Sequence, residues 1–198
     1  MATSWTELQA LWNLHHRRVT GAIQHISLRL PFALREWHSD NGGAFINACL
    51  VGWCRHRGIR FTRGRPSRKN DQAWVEQRHG LLVRRLVGYD RYRSRAAWTV
   101  LQRLYGLLRL QHNFFRPVRK LQSKQRLGST LRKRYDAAQT PYQRVLAAGG
   151  LSAAQQQALA AQYQALDPIG LARDIHRTLD VLGKLADTRH FREVTAPG

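Results

Sequence analysis

Acidic residues are scarce in this chain: 12 Asp and Glu stand against 33 Lys and Arg, for a net charge of +21. The shortage is sharpest between residues 55 and 144, where 24 basic residues meet only Asp71, Glu76, Asp90 and Asp136. A segment that basic repels itself unless a polyanion is at hand, and nucleic acid is the commonest one. A ribosomal-type RNA binder and a merely solvated face fit the composition as well. Cysteine is nearly absent. Cys49 and Cys54 have no second pair to complete a zinc site, and Cys54 with His56 makes only a lone C-x-H, so free thiols in a reducing compartment are expected. No run approaches the ~18 apolar residues of a membrane span. The opening residues lack the basic and apolar segments of a secretory leader, so a cytoplasmic protein is expected.

Apolar spacing and turn residues predict an α/β order over the first half. Trp5 to Leu14 reads as a weak strand. A helix is expected from His15, with Val19, Ala22, Ile23, Ile26 and Leu30 recurring, until Pro31. Phe32 to Ser39 reads as a strand, although Arg35 and Glu36 sit where a buried strand wants apolar residues. Asp40-Asn41-Gly42-Gly43 is a turn signal. Phe45 to Arg57 reads as a helix stopping at Gly58, and Ile59 to Thr62 as a short strand. A basic loop, Arg63 to Lys69, precedes a helix opened by Asn70 and Asp71 and running to Val87.

Helical spacing resumes over 96–112, whereas 113–145 reads as basic and irregular. Ser152–Leu166 and Pro168–Ala186 read as a helical hairpin turned at Asp167-Pro168. The chain thus divides into three regions: a core over 1–95, a basic helical or extended extension over 96–146 whose charge suits nucleic acid, and the hairpin over 147–198.

Two acids carry the candidate chemistry. Asp40 stands at a predicted strand end and Glu76 inside the next helix but one, with 35 residues between them. An α/β sheet can bring such acids to one edge, where paired carboxylates are the hard oxygen ligands that Mg²⁺ wants. Two bridged metals would then activate an attacking oxygen and stabilise a leaving one. Spacing alone leaves the plainer alternative open: Asp40 capping a turn and Glu76 facing solvent.

The words around both acids resemble the integrase core of bacterial insertion-sequence transposases, above all the ISNCY type, within the RNase H-like DDE superfamily. The matching pieces include Trp5-Thr-Glu7, Leu30-Pro-Phe32, Ser39-Asp-Asn-Gly42 and Ile59-Arg-Phe-Thr-Arg63. Longer ones are Lys69-Asn-Asp-Gln-Ala73, Val75-Glu-Gln77 and Val83 through Tyr92, with Tyr135-Asp136 and Thr140-Pro-Tyr-Gln-Arg144 further on. The likeness covers roughly residues 3–146. It implies a truncated RNase H-like core that keeps strands three to five. It also implies Asp40 and Glu76 as the second and third acids of a metal-binding triad, with Mg²⁺ or Mn²⁺ as cofactor.

The partners implied are transposon-end and target DNA, with self-association as a further option. Arg63, Arg65, Arg68 and Lys69 on the loop, and Arg78, Arg84 and Arg85 on the helix after it, are the candidate DNA contacts. Arg78 and Arg85 are seven apart and so share a helix face.

Departures from the family accompany the likeness. The first acid should stand immediately before Met1, and Glu7 belongs to the next part of the same word. Ala44 replaces a usual Glu, Trp74 a usual His and His79 a usual Asn. With strands one and two missing, strand three should lack its neighbour and the fourth should expose an edge. Poor folding and weak or absent metal binding are therefore expected. Three readings stand: a catalytically dead transposase remnant that still binds nucleic acid, an active transposase whose start lies upstream, and a non-catalytic DNA-binding competitor or regulator.

Overall fold

The computed structural model describes residues 3–39, 42–64 and 83–187, and the chain is a mixture of helices and small sheets. The first helix, α1 (His16–Arg29), buries Val19, Thr20 and Ile23, one stripe at helical spacing, and ends just before Pro31. Strand β1 (Glu36–Ser39) leads to α2 (Ala48–His56), where the Asn47 side chain caps the start by accepting from the Leu50 amide at 2.9 Å. Gly58 at φ 63° closes that helix in the left-handed conformation glycine adopts without strain.

Strand β2 (Arg60–Arg63) pairs with β1 in parallel, from Glu36↔Arg60 to Ser39↔Arg63. Their inner face packs Trp37 and Phe61 onto Val19, Ile23, Leu50, Cys54 and Ile59. The outer face is polar. Glu36 accepts from Arg60 Nε at 3.1 Å and from the Thr62 hydroxyl at 3.0 Å, and His38 Nδ1 lies 2.9 Å from that hydroxyl. Glu36 is thus no defect in a buried strand; it faces outward in a strand covered on one side only.

A second core lies between α3 (Arg95–Leu110) and α6 (Pro168–Gly183). Ala97, Leu104 and Leu108 of the first meet Leu171, Ile175 and Leu182 of the second. Ser94 and Asp167 cap the two starts, accepting from the amides of Ala97 and of Ile169 and Gly170. A π-turn, Gln111–Phe115, extends α3 and buries His112, Asn113 and Phe114 in succession. Phe114 centres the third core with Val145, Leu151 and Leu159, contributed by α4 (Pro141–Ala147), the loop after it and α5 (Ala153–Gln164). Trp5 meets Phe114 edge-on at 5.5 Å, and Tyr142 and Tyr163 stack at 4.8 Å beside it.

Three expectations are corrected. Residues 5–14 form no strand. The segment 113–145 is not irregular: it holds the π-turn, an antiparallel hairpin of β3 (Leu121–Leu127) and β4 (Thr130–Tyr135), and the start of α4. The two carboxyl-terminal helices do succeed one another, but they bury their apolar residues in different cores, so they do not make a self-packed hairpin. α5 is Ala- and Gln-rich and buries only Leu159, whereas the Leu/Ile stripe of α6 suits the leucines of α3.

Candidate strand-end site and nucleic-acid interface

The parallel pairing of β1 and β2 puts the carboxyl ends of both strands side by side. Ser39 lies opposite Arg63, and the Gly64 amide donates to the Ser39 carbonyl at 2.8 Å, carrying the ladder one residue further. In open α/β sheets, the crevice beyond the carboxyl ends of the strands is where ligands bind. Asp40 is the next residue after β1 in the sequence, but Asp40 and Glu76 both lie outside the described residues. At the edge itself Ser39 is buried, and its hydroxyl has no hydrogen-bond partner among the described residues. No group of three or more His, Cys, Asp or Glu among the described residues is placed to hold a metal.

The candidate DNA contacts divide in the same way. Arg65, Arg68, Lys69 and Arg78 lie outside the described residues. Arg63 is exposed at the end of β2. Arg84 and Arg85 are exposed beside Gly88, and the Arg84 guanidinium sits 5.3 Å from the centre of the Tyr89 ring, a cation–π contact.

Glu7 is committed elsewhere. Its carboxylate is nearly buried between two guanidiniums: Arg29 Nε at 3.2 Å, an ion pair out of hydrogen-bond alignment, and Arg109 Nη1 at 3.2 Å. Trp5 Nε1 donates to the same carboxylate at 3.0 Å. Burial pushes the Arg29 guanidinium below its ordinary value, Glu7 raises it and Arg109 lowers it further. A buried carboxylate held by two cations is structural, and its removal would strand both guanidiniums.

Composition does not show how the segment around Glu7 is held. Asn113 donates to the Thr6 carbonyl at 2.8 Å and accepts from the Thr6 amide at 2.9 Å. Gln102 does the same for Ala10, donating at 2.8 Å and accepting at 3.3 Å. Two amide side chains on α3 and its π-turn thus stand where a neighbouring strand would offer backbone groups. A weak strand pattern with no sheet partner resolves into an extended segment read by side chains.

The basic hairpin escapes sequence reasoning too, although it has a sequence signal. Leu127-Gly-Ser-Thr130 carries a two-residue Gly-Ser link between runs, a hairpin mark that the low apolar content obscures. Elsewhere on the surface, Trp12, Trp98, Arg18 and Arg95 line a hollow of about 190 Å³, with the two indoles edge-on at 6.4 Å.

No family model matches the chain. Over 135 residues it is 44% identical to the uncharacterized protein y4rM of Sinorhizobium fredii (strain NBRC 101917 / NGR234), an alignment that takes in 68% of this chain. The chain spans about two fifths of that relative's length, at 39%. No helix among the described residues is long and apolar enough to cross a membrane.

Proposed function

We propose that this chain is part of a DDE-type transposase core of RNase H-like fold. In this reading Asp40 and Glu76 are two of three metal-binding acids, and the chain holds DNA on a basic surface. The observation that carries the reading is the parallel β1–β2 pair, whose carboxyl ends lie side by side immediately before Asp40 and the basic loop. In this reading β1 and β2 stand for the fourth and fifth strands of that core.

Two carboxylates suit Mg²⁺ or Mn²⁺ in kind, as hard oxygen donors, but they supply only part of a shell. Glu7 cannot make up the shortfall, because Arg29 and Arg109 hold it. A bound metal would supply activation of an oxygen nucleophile and stabilisation of the leaving oxygen. This chain's own residues would position the cation and neutralise the phosphates.

The test compares the 198-residue chain with one extended by its upstream codons, in strand-transfer assays with Mg²⁺ or Mn²⁺. The expected result is no product from the shorter chain, and product only when an aspartate precedes Met1. Strand transfer by the shorter chain would overturn the reading. A second reading, a DNA-binding competitor with no catalysis, is favoured by the three packed cores and the exposed basic hairpin. It would be left standing if the extended chain binds DNA and still joins none.

A further inference from the structure

Residues 116–135 hold eight basic side chains and no acid. The structure folds most of them into the β3–β4 ribbon, in which every residue of both strands is exposed. An isolated two-stranded ribbon is marginal in water, because neither face has a core to cover it. This one also sets like charges opposite one another. Lys124 pairs with Lys133 across the strands, and Arg132 and Arg134 occupy the other face. Such cross-strand repulsion destabilises the free hairpin.

The turn is tight. Gly128 has φ 61°, and Ser129 has no positive φ, which is the II′ pattern that matches strand twist. Beside that turn Leu127 and Leu131 are half-exposed, at 56% and 50%. The ribbon thus has an apolar tip and basic flanks.

Its root is fixed. The Lys120 amide donates to Asp136 Oδ1 at 2.6 Å, and the Asp136 amide donates back to the Lys120 carbonyl at 2.9 Å. Arg144 on α4 donates to Asp136 Oδ2 at 2.7 Å and to the Val118 carbonyl at 2.9 Å. Arg144 adjoins Val145 of the third core, so the angle at which the ribbon leaves the protein is set by packing.

We propose that this ribbon is a DNA probe: it enters the major groove of duplex DNA tip first, with Leu127 and Leu131, on opposite faces beside the turn, toward the base edges and Lys124, Arg126, Arg132 and Lys133 on the flanking phosphates. The proposal rests on the reading of the chain as a DNA-holding protein and adds the element and the groove. The B-form major groove, about 12 Å wide, admits a two-stranded ribbon, and thymine methyls there accept apolar contact. The ribbon is about 20 Å long at ~3.3 Å per residue, enough for its tip to reach the floor of a groove about 8.5 Å deep. Phosphates relieve the Lys124–Lys133 opposition that the free hairpin bears.

The experiment uses the full chain and a variant with Lys124→Thr, Arg126→Thr, Arg132→Thr and Lys133→Thr, binding labelled duplex DNA over a salt series. Threonine keeps the strand propensity. The expected result is a log–log salt slope flattened by roughly two to four units, at ~0.9 per phosphate contact, with a thermal midpoint no lower than the parent's. An unchanged slope in a folded variant would overturn the ribbon while leaving DNA binding through Arg63, Arg84 and Arg85 intact.

Bulky groups on the pyrimidine C5 positions, which fill the major groove, should weaken the parent by roughly tenfold and leave the variant unaffected. Equal binding of such a duplex overturns the groove assignment. So does equal binding of duplex RNA, whose major groove is too deep and narrow for side chains. If the parent binds no duplex DNA, the ribbon proposal fails, while the strand-transfer assignment is still judged separately by the extended chain.

Discussion

The described chain contains two two-stranded sheets, and they are built on opposite terms. β1 and β2 run parallel, are joined through α2, and bury one face on Leu50, Cys54 and Ile59. β3 and β4 run antiparallel, are joined by two residues, and bury nothing. The first is held by its core and so can fix the position of residues just beyond its strand ends. The second is held by ladder hydrogen bonds and by the root at Asp136 and Arg144, and its side chains are exposed. One sheet is fixed by a covered face; the other leaves both of its faces to solvent.

The largest effect should separate the two at once. Leu50 is fully buried, and Leu50→Ala should cost about 2–5 kcal/mol in urea unfolding. Leu131→Ala on the ribbon should stay within about 0.5 kcal/mol, the range of surface substitutions. Similar losses at both sites would mean that the ribbon is packed after all.

Asn113→Ala should come next. It removes both bonds to Thr6 from a fully buried side chain, for about 1–3 kcal/mol. Here amide side chains do for an extended segment what a strand partner does in either sheet. Hydrogen exchange at Thr6 should speed up in the variant. An unchanged rate and midpoint would remove the amides from the account.

The smallest effect concerns pH, and it distinguishes the ribbon's root from the open face of β1–β2. The Arg144 hydrogen bond, and after it the Lys120 amide, hold the Asp136 carboxyl below its ordinary value. Glu36 is likewise lowered, by Arg60 and then Thr62. A lowered carboxyl contributes stability that is fully present above the unfolded-chain value. That contribution is lost as pH falls through the folded-state value. Stability should therefore decline with acid below the ordinary carboxylate range. Asp136→Asn should remove more of that decline than Glu36→Gln, because Arg144 is nearly buried whereas Arg60 is 75% exposed and solvent-screened. Equal changes would show that the root is no better fixed than a surface pair.

Several elements were legible because local chemistry decides them. Pro31, Gly58 and the Asp167-Pro168 pair mark helix limits by capping or by refusing helix geometry, and α1, α2 and α6 have limits near those marks. The β2 strand was legible from alternation over Ile59 to Thr62. β3 and β4 were not, because period-two reading looks for an apolar face and this hairpin has none. Of the candidate site, Arg63, Arg84 and Arg85 are exposed, Ser39 and Arg63 meet at the strand ends, and Asp40 and Glu76 lie outside the described residues.

By itself the sequence determined the charge, the helix limits, and the two acids with their surrounding words, since each depends on residues close along the chain. Only the tertiary structure decided that Glu7 is held between Arg29 and Arg109, that Asn113 and Gln102 stand in for a strand, and that α5 and α6 part company into separate cores. These pairings join positions up to 107 residues apart. Such contacts form where burial removes competing water, and no local pattern records which distant partner will be there.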